Sequence, residues 1–244
     1  MIIPEIVKKI LRSEKGLIVI PLMFSVAKVK WAANRCESIK DYVDLSFNIF
    51  NTFPFKHWSI RPGQVKEEIT ELLKILAKHD PRFVLEIGTS GGGTLFLFAR
   101  ISSPDAVIIS VDLPGGPFGG GYREWRITLY KSFAIHRQKI CLIREDSHAR
   151  FTFNKVEKIL KGHKLDFLFI DGDHTYDGVK MDFEMYGKLV RKGGLIAFHD
   201  ICPHPPQTGC EVSKFWCEIK DGYKHIELIK DRKQGWAGIG VLYV

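Results

Sequence analysis

Two stretches of the chain end in side chains that could do chemistry. "LDFLFIDGDH" (165–174) is an apolar run that stops in two aspartates and a histidine, and "GGLIAFHD" (193–200) stops in a histidine and an aspartate. Carboxylates and imidazoles together can share a metal ion or move a proton near neutral pH. Neighbouring parallel strands lie about 4.8 Å apart, so two such strand ends can serve one site. The expectation is that both ends meet at the mouth of a site holding a cofactor and a metal.

A third stretch, "VLEIGTSGGGT" (84–94), reads as a strand, a glycine-rich turn and a helix start. Gly88, Ser90 and Gly93 stand where a G-x-G-x-x-G loop has its glycines, with serine in the middle place. Glycine allows the tight turn and a close approach of ligand to backbone. The helix that follows would aim free N–H groups at that ligand. Asp112, ending the next strand, is placed to accept hydrogen bonds from ribose hydroxyls. Glu86 sits just before the loop, where its charge would repel a pyrophosphate and attract a cationic sulfonium–amino acid. That contrast favours S-adenosylmethionine over NAD.

The elements that must carry these groups alternate from residue 64 onward. "QVKEEITELLKILAKH" (64–79) sets Val65, Ile69, Leu72, Leu73 and Leu76 on one helical face. "RFVLEIG", "AVIISVDL", "KICLIRED", "LDFLFIDGD" and "GLIAFHD" read as buried strands. Between the last two, Tyr176, Val179, Phe183, Tyr186 and Val190 recur at helical spacing, with Gly193–Gly194 expected to stop that helix. Continuous apolar strands separated by helices imply an α/β fold with a parallel sheet covered on both faces. "HIELIKD" and "GIGVLYV" predict a closing antiparallel hairpin, and the ligand belongs beyond the carboxyl ends of the parallel strands. The glycine-rich "LPGGPFGGGYREWRITLYKSF" (113–133) is expected to bring Tyr122, Arg123 and Trp125 over a substrate.

The chain divides into an N-terminal helical extension or cap, 1–60, and a cofactor-binding domain, 61–244. Within the first, "GLIVIPLMFSVA" (16–27) is shorter than the ~20 residues that cross a bilayer and is read as packing on the core or on a second subunit. "FNIFNTFPFKHW" (47–58) offers aromatics that read as exposed, either for a homo-oligomer contact or as a cap over the acceptor site. The net charge of +8, from 36 Lys+Arg against 28 Asp+Glu, is scattered along the chain, which speaks against nucleic acid and mildly for an anionic small acceptor. Five cysteines at irregular spacing fit reduced thiols and a cytoplasmic location. Cys202, His204, Cys210 and Cys217 cluster in sequence, but not at zinc-ligand spacing.

"VLEIGTSGGGT", "ISVDL", "REDSH", "FIDGDHTYDGV" and "GGLIAFHD", in that order, resemble class I S-adenosylmethionine-dependent methyltransferases. Within them they are most similar to the branch of cephalosporin-hydroxylase-like proteins and macrolide-sugar O-methyltransferases. The resemblance covers residues 60 to 244 and implies a Rossmann-like three-layer sandwich with a mostly parallel seven-stranded sheet. It implies that Glu86, Gly88, Thr89, Ser90 and Gly93 surround the methionine part of the cofactor and that Asp112 binds its ribose. Asp146 and Ser147 would lie by the adenine. Asp171 would complete the set, and Gln64 is either a lid contact or an ordinary helix entry.

By the same resemblance, Asp171, His199 and Asp200 are the metal candidates, with magnesium expected. A metal would hold substrate oxygens and acidify the hydroxyl to be methylated. An imidazole in the middle place departs from the family's oxygen ligands and suits a transition metal better. Either Asp171 and Asp200 bind the metal with His199 assisting, or His199 is a base and no metal is needed. His174 is the other candidate base, and Asp171 completes the catalytic set. The implied activity is O-methylation of a sugar or other small hydroxyl compound. The alternatives are altered, hydroxylase-like chemistry on the same fold, a non-catalytic cofactor-binding module, and, more remotely, an NAD-dependent oxidoreductase.

Overall fold

The computed structural model describes residues 14–50 and 58–244, with side chains from residue 21 onward. Helix α1 (Glu14–Ala33) and helix α2 (Ile39–Asn48) precede α3 (Lys66–His79). Then follow β1 (Phe83–Ile87), α4 (Gly93–Ile101), β2 (Val107–Val111), α5 (Arg126–Lys131), β3 (Lys139–Ile143) and α6 (Arg150–Leu160). The chain continues through β4 (Leu165–Ile170), α7 (Tyr176–Tyr186), β5 (Val190–His199), α8 (Val212–Ile219), β6 (Lys224–Leu228) and β7 (Ile239–Tyr243).

Seven strands form one sheet in the order β3-β2-β1-β4-β5-β7-β6. The first five are parallel neighbours, and β7 enters antiparallel between β5 and β6. The chain therefore has the expected α/β, Rossmann-like sandwich with a C-terminal antiparallel pair. Strand order reverses beside β1, and the carboxyl ends of β1, β2 and β4 open on one side of that reversal, where such sheets bind ligands.

Alternation along the strands divides the interior into two cores. Val84, Phe167, Phe169, Leu195 and Ala197 face one helical layer with α3 and α4. Leu85, Ile87, Leu168, Ile170, Ile196 and Phe198 face the other, with α6, α7 and α8. Side chains that alternate across a pleat produce two buried faces only where helices cover both. The described part of the N-terminal region joins the first core through Val29, Ala33, Val43 and Phe47.

Three local expectations need correction. Helix α7 ends at Tyr186, and Val190 already belongs to β5, where it pairs with Leu165. Gly193 and Gly194 lie inside that strand, at its bulge, because Gly194 has no room for a Cβ beside Val190 and the Asp166 carbonyl. The aromatics Phe47, Phe50 and Trp58 are buried rather than exposed, while Phe53 and Phe55 lie outside the described residues. Among the described residues no helix is long and apolar enough to cross a membrane.

The β6–β7 connection is fixed by a residue the periodicity of α3 did not single out. Glu68 is buried, and its carboxylate accepts from the Lys230 N–H at 3.0 Å, the Gln234 amide at 2.8 Å and the Gly238 N–H at 3.0 Å. Glu68→Ala leaves three donors without that acceptor and is expected to lower unfolding free energy by about 2–4 kcal/mol. Urea denaturation with an unchanged m-value checks this.

Candidate active site

The glycine loop begins with a backbone that no side chain could fit. Gly88 has φ +87°, and a Cβ there would lie 1.8 Å from the Asp171 carbonyl oxygen. The Gly88 N–H donates to Val111 O at 2.9 Å and the Asp171 N–H to Ile87 O at 2.8 Å, so the ends of β1, β2 and β4 are stitched together. Gly93 is excluded from carrying a side chain by the Ile60 carbonyl, 2.3 Å from a built Cβ. Asp112 holds the loop between them. Its Oδ2 accepts from the Thr89 N–H at 2.8 Å and from the Ser90 N–H, while Oδ1 is buried and unpartnered.

Glu86 does not join them. It is fully buried beneath the loop, takes the Thr89 hydroxyl at 2.7 Å and does not line the cavity. Burial pushes its carboxyl up to about 8 against the pull of the Thr94 and Thr89 hydroxyls. At neutral pH it is mostly uncharged, so the expected contact with a sulfonium and repulsion of a pyrophosphate are corrected to a supporting role under the loop.

The remaining cofactor candidates all line one cavity of about 450 Å³: Gln64, Gly88, Thr89, Ser90, Gly93, Asp112, Asp146, Ser147 and Asp171. Its size suits a cofactor-sized ligand. Gln64 is buried and its amide donates to Asp171 Oδ2 at 2.7 Å, so it joins the N-terminal side of α3 to the strand ends. Asp173 is a helix-entry residue: its Oδ1 accepts from the N–H and hydroxyl of Thr175, the N-cap of α7.

The acid and imidazole groups do converge. His199 Nδ1 lies 3.1 Å from Asp171 Oδ1 and 3.3 Å from Asp200 Oδ2. His174 lies 3.4 Å from Asp171 and 3.1 Å from Asp200, and His204 Nε2 is 3.1 Å from Asp200 Oδ1. Burial opposes charge on His174 and His199, but the two aspartates outweigh it, lifting them to about 11 and about 10; Cys210 adds to the lift on His174. Burial acts upward on both aspartates, and the imidazoles outweigh it, holding Asp171 and Asp200 below the usual carboxylate range. Among the described residues two sets of possible ligand atoms lie within 4.8 Å of one another: Asp171, His199 and Asp200, and His174, Asp200 and Cys210. The donor set fits a divalent cation, since the buried His199 Nε2 also has no partner. Cys202 and Cys217 stand apart from this group.

Other expectations fail for reasons of packing. Tyr122 is buried against Tyr130 at 4.8 Å and Trp125 packs on Trp58 at 4.3 Å, so neither closes over a substrate. Arg123 does not reach the cavity. Phe118, from the same loop, lines the cavity instead and stacks on His174 at 4.9 Å. Phe118, His148, Trp236 and Arg61 line the cavity without having been singled out, and His204, weighed only within the cysteine cluster, lines it too. Phe118 lay inside the stretch noted for its glycines, whereas Arg61 and Trp236 gave no local signal.

A seven-stranded sheet of this order, with a glycine loop after β1 and an acid after β2, is the architecture of class I S-adenosylmethionine-dependent methyltransferases. A family model described as a methyltransferase domain matches residues 85–201. Uncharacterized protein R132 of Acanthamoeba polyphaga mimivirus is 32% identical over 157 residues, covering 63% of this chain and 67% of that protein. Probable caffeoyl-CoA O-methyltransferase 3 of Dictyostelium discoideum is 26% identical over 175 residues, covering 71% of this chain and 64% of that protein. The O-methyltransferase TomG of Streptomyces achromogenes, solved with S-adenosylmethionine, superposes with a TM-score of 0.54 at 16% identity, covering 86% of this chain and 91% of that one. An O-methyltransferase of Bacillus cereus, solved with S-adenosylhomocysteine, gives 0.51 at 16%, covering 91% and 100%. The chain belongs to the class I S-adenosylmethionine-dependent methyltransferases. It spans about two thirds of the length of these two curated relatives.

Glu86 also makes stability depend on pH. The folded chain keeps its proton up to about pH 8, whereas an ordinary glutamate releases it near 4.5. Between those values the folded state holds more protons, so this contribution is full below 4.5 and lost as pH rises through 8. Glu86→Gln is expected to remove a decline of up to about 1.4 kcal/mol per pH unit. Denaturant midpoints at pH 5.5 and 8 for both proteins check it.

Proposed function

We propose that the protein transfers a methyl group from S-adenosylmethionine to a hydroxyl of a small molecule, with a divalent metal assisting. One observation carries this reading: the glycine loop and the acid–imidazole cluster open on the same cavity, joined by the Gln64–Asp171 hydrogen bond. Gly88, Ser90 and Gly93 would accommodate the methionine part, the free Oδ1 of Asp112 the ribose, and Asp146 and Ser147 the adenine.

Asp171, His199 and Asp200 would hold the cation, with His174 beside it. When bound, such a cation supplies charge that lowers a hydroxyl's pKa and orients substrate oxygens. Without a cation, His174 and His199 are protonated at neutral pH and cannot act as bases. The upward displacement of His174 comes from the two aspartates, with Cys210 adding to it, so engaging those carboxylates elsewhere would return His174 toward the range of a general base. Phe118 stacks on His174 and would limit water there. The donor set suits zinc, iron or another transition metal at least as well as the expected magnesium.

Phe118 and Trp236 present flat faces that suit a sugar or phenol ring, and Arg61 at the same cavity suits an anionic substituent. The proposed location is cytoplasmic, supported by five free cysteines. Exposed Met23, Phe24 and Trp31 on α1 support a homo-oligomer contact through the N-terminal region.

Calorimetric titration of S-adenosylmethionine, alone and with magnesium, zinc or chelator, tests the reading, followed by mass analysis of a hydroxyl-acceptor panel. The expected outcome is cofactor binding and a product heavier by one methyl group. Absence of cofactor binding under every condition would sink it. Replacing both Asp171 and Asp200 by Ala is expected to abolish the heat of metal binding, and activity unaffected by chelator in the parent protein would refute metal assistance.

A further inference from the structure

The methyl-transfer reading leaves a thiol unused at the edge of the acid–imidazole cluster. Cys210 Sγ, a His174 ring nitrogen and an Asp200 oxygen lie within 4.8 Å of one another. Cys210 is half-buried, and of the five cysteines it alone enters such a set. Cys202, which opens the same loop, is buried instead and faces Gln234 Nε2 at 3.9 Å.

The loop that carries the thiol is held by its own local bonds. Pro203, Pro205 and Pro206 limit its backbone freedom, and a single 3-10 turn spans Pro206–Thr208. The Thr208 hydroxyl donates to the Pro205 carbonyl at 2.8 Å and accepts from the Cys210 N–H at 3.2 Å. The Glu211 N–H donates to the His174 carbonyl at 2.7 Å, which ties the chain beyond Cys210 to the backbone of His174. Thiol and imidazole are thus brought together before any ligand binds.

The other two donors are aimed compatibly. Asp200 Oδ1 is taken by the Ala237 N–H and by His204, each at 3.1 Å, which leaves Oδ2 toward His174. His174 Nδ1 faces that Oδ2 at 3.1 Å, and Nε2 faces Asp171 Oδ1 at 3.4 Å. With Nδ1 on an ion, the ring proton sits on Nε2, opposite a carboxylate. A carboxylate behind a metal-bound imidazole fixes its tautomer and strengthens it as a ligand.

Sulfur decides which ion such a set takes. Thiolate and imidazole select zinc and similar thiophilic ions, whereas magnesium keeps to oxygen. We propose that Cys210, His174 and Asp200 form a second cation subsite, selective for a thiophilic divalent ion and sharing Asp200 with the Asp171–His199–Asp200 set. The subsite stands on its own geometry and does not need the methyl-transfer reading. A His174 nitrogen that ligates an ion has no lone pair left for a proton, so occupation would exclude His174 from acting as a base.

The test titrates the full chain, kept reduced, with cobalt(II) as a stand-in for zinc and reads the near-ultraviolet thiolate-to-cobalt charge-transfer band. Zinc and magnesium heats are measured calorimetrically beside it, on the parent protein and on C210S. The parent is expected to develop the band and C210S to lack it. C210S is expected to bind zinc about tenfold or more weakly, with its magnesium heat unchanged. Cobalt binding without the band in the parent overturns the subsite and leaves the Asp171–His199–Asp200 set standing. A band that persists in C210S assigns the sulfur to another cysteine and overturns it as well. Failure of the parent to bind either cobalt or zinc overturns it too, and the magnesium heat then judges the other set separately. Should thermal melting show C210S unfolded, alkylation of the parent decides. Zinc is expected to slow iodoacetamide attack on Cys210 by about tenfold or more, and magnesium to leave it unchanged. Equal rates with and without zinc refute the proposal.

Discussion

The close approach of β1 to β4 at their carboxyl ends is the constraint on which the site depends. The Gly88 backbone passes so near the Asp171 carbonyl that a methyl group would overlap it. That approach turns the loop after β1 across the tips of β2 and β4 rather than away from them. It brings Asp112, which ends one strand, and Asp171, which ends another, to opposite sides of the same turn. Asp112 then spends one oxygen on the loop N–H groups and keeps the other free. A substitution at Gly88 would thus displace both ends of the cavity together.

Charge is distributed around that turn by burial. Directly beneath it Glu86 has hydroxyl partners but no cation, and it remains largely protonated. A step further along the rim, Asp171 and Asp200 lie among imidazoles and remain ionised. The three carboxyl groups differ in state because their partners differ.

Much of this was legible in the sequence. Continuous apolar strands, each ending in an acid, give parallel neighbours and a shared rim, because such strands must be covered on both faces. The acid–histidine cluster follows from that alone, since residues 171, 199 and 200 end neighbouring strands. Periodicity misplaced the end of α7, because Val190 continues the helical spacing while already pairing with Leu165. It also could not tell which side of β1 Glu86 faces, and that decides its charge. In the loop after β2, Tyr122 and Phe118 are both aromatics among glycines. Only the packing of Tyr122 on Tyr130 decides which one is core and which faces the cavity.

The two ends of the cavity use imidazoles in opposite ways. His148 faces the buried Asp182 and the Gly178 carbonyl from behind, and Asp182 lifts it to about 9 against burial, so it is charged at neutral pH. His174 and His199 share their carboxylates with each other and with His204, so no single partner owns either proton. Coupled groups of this kind titrate together rather than one by one. One end of the cavity thus holds a fixed hydrogen-bonding pattern, and the other holds groups that share their protons. Both are anchored to one sheet through strands that end within a few residues of each other.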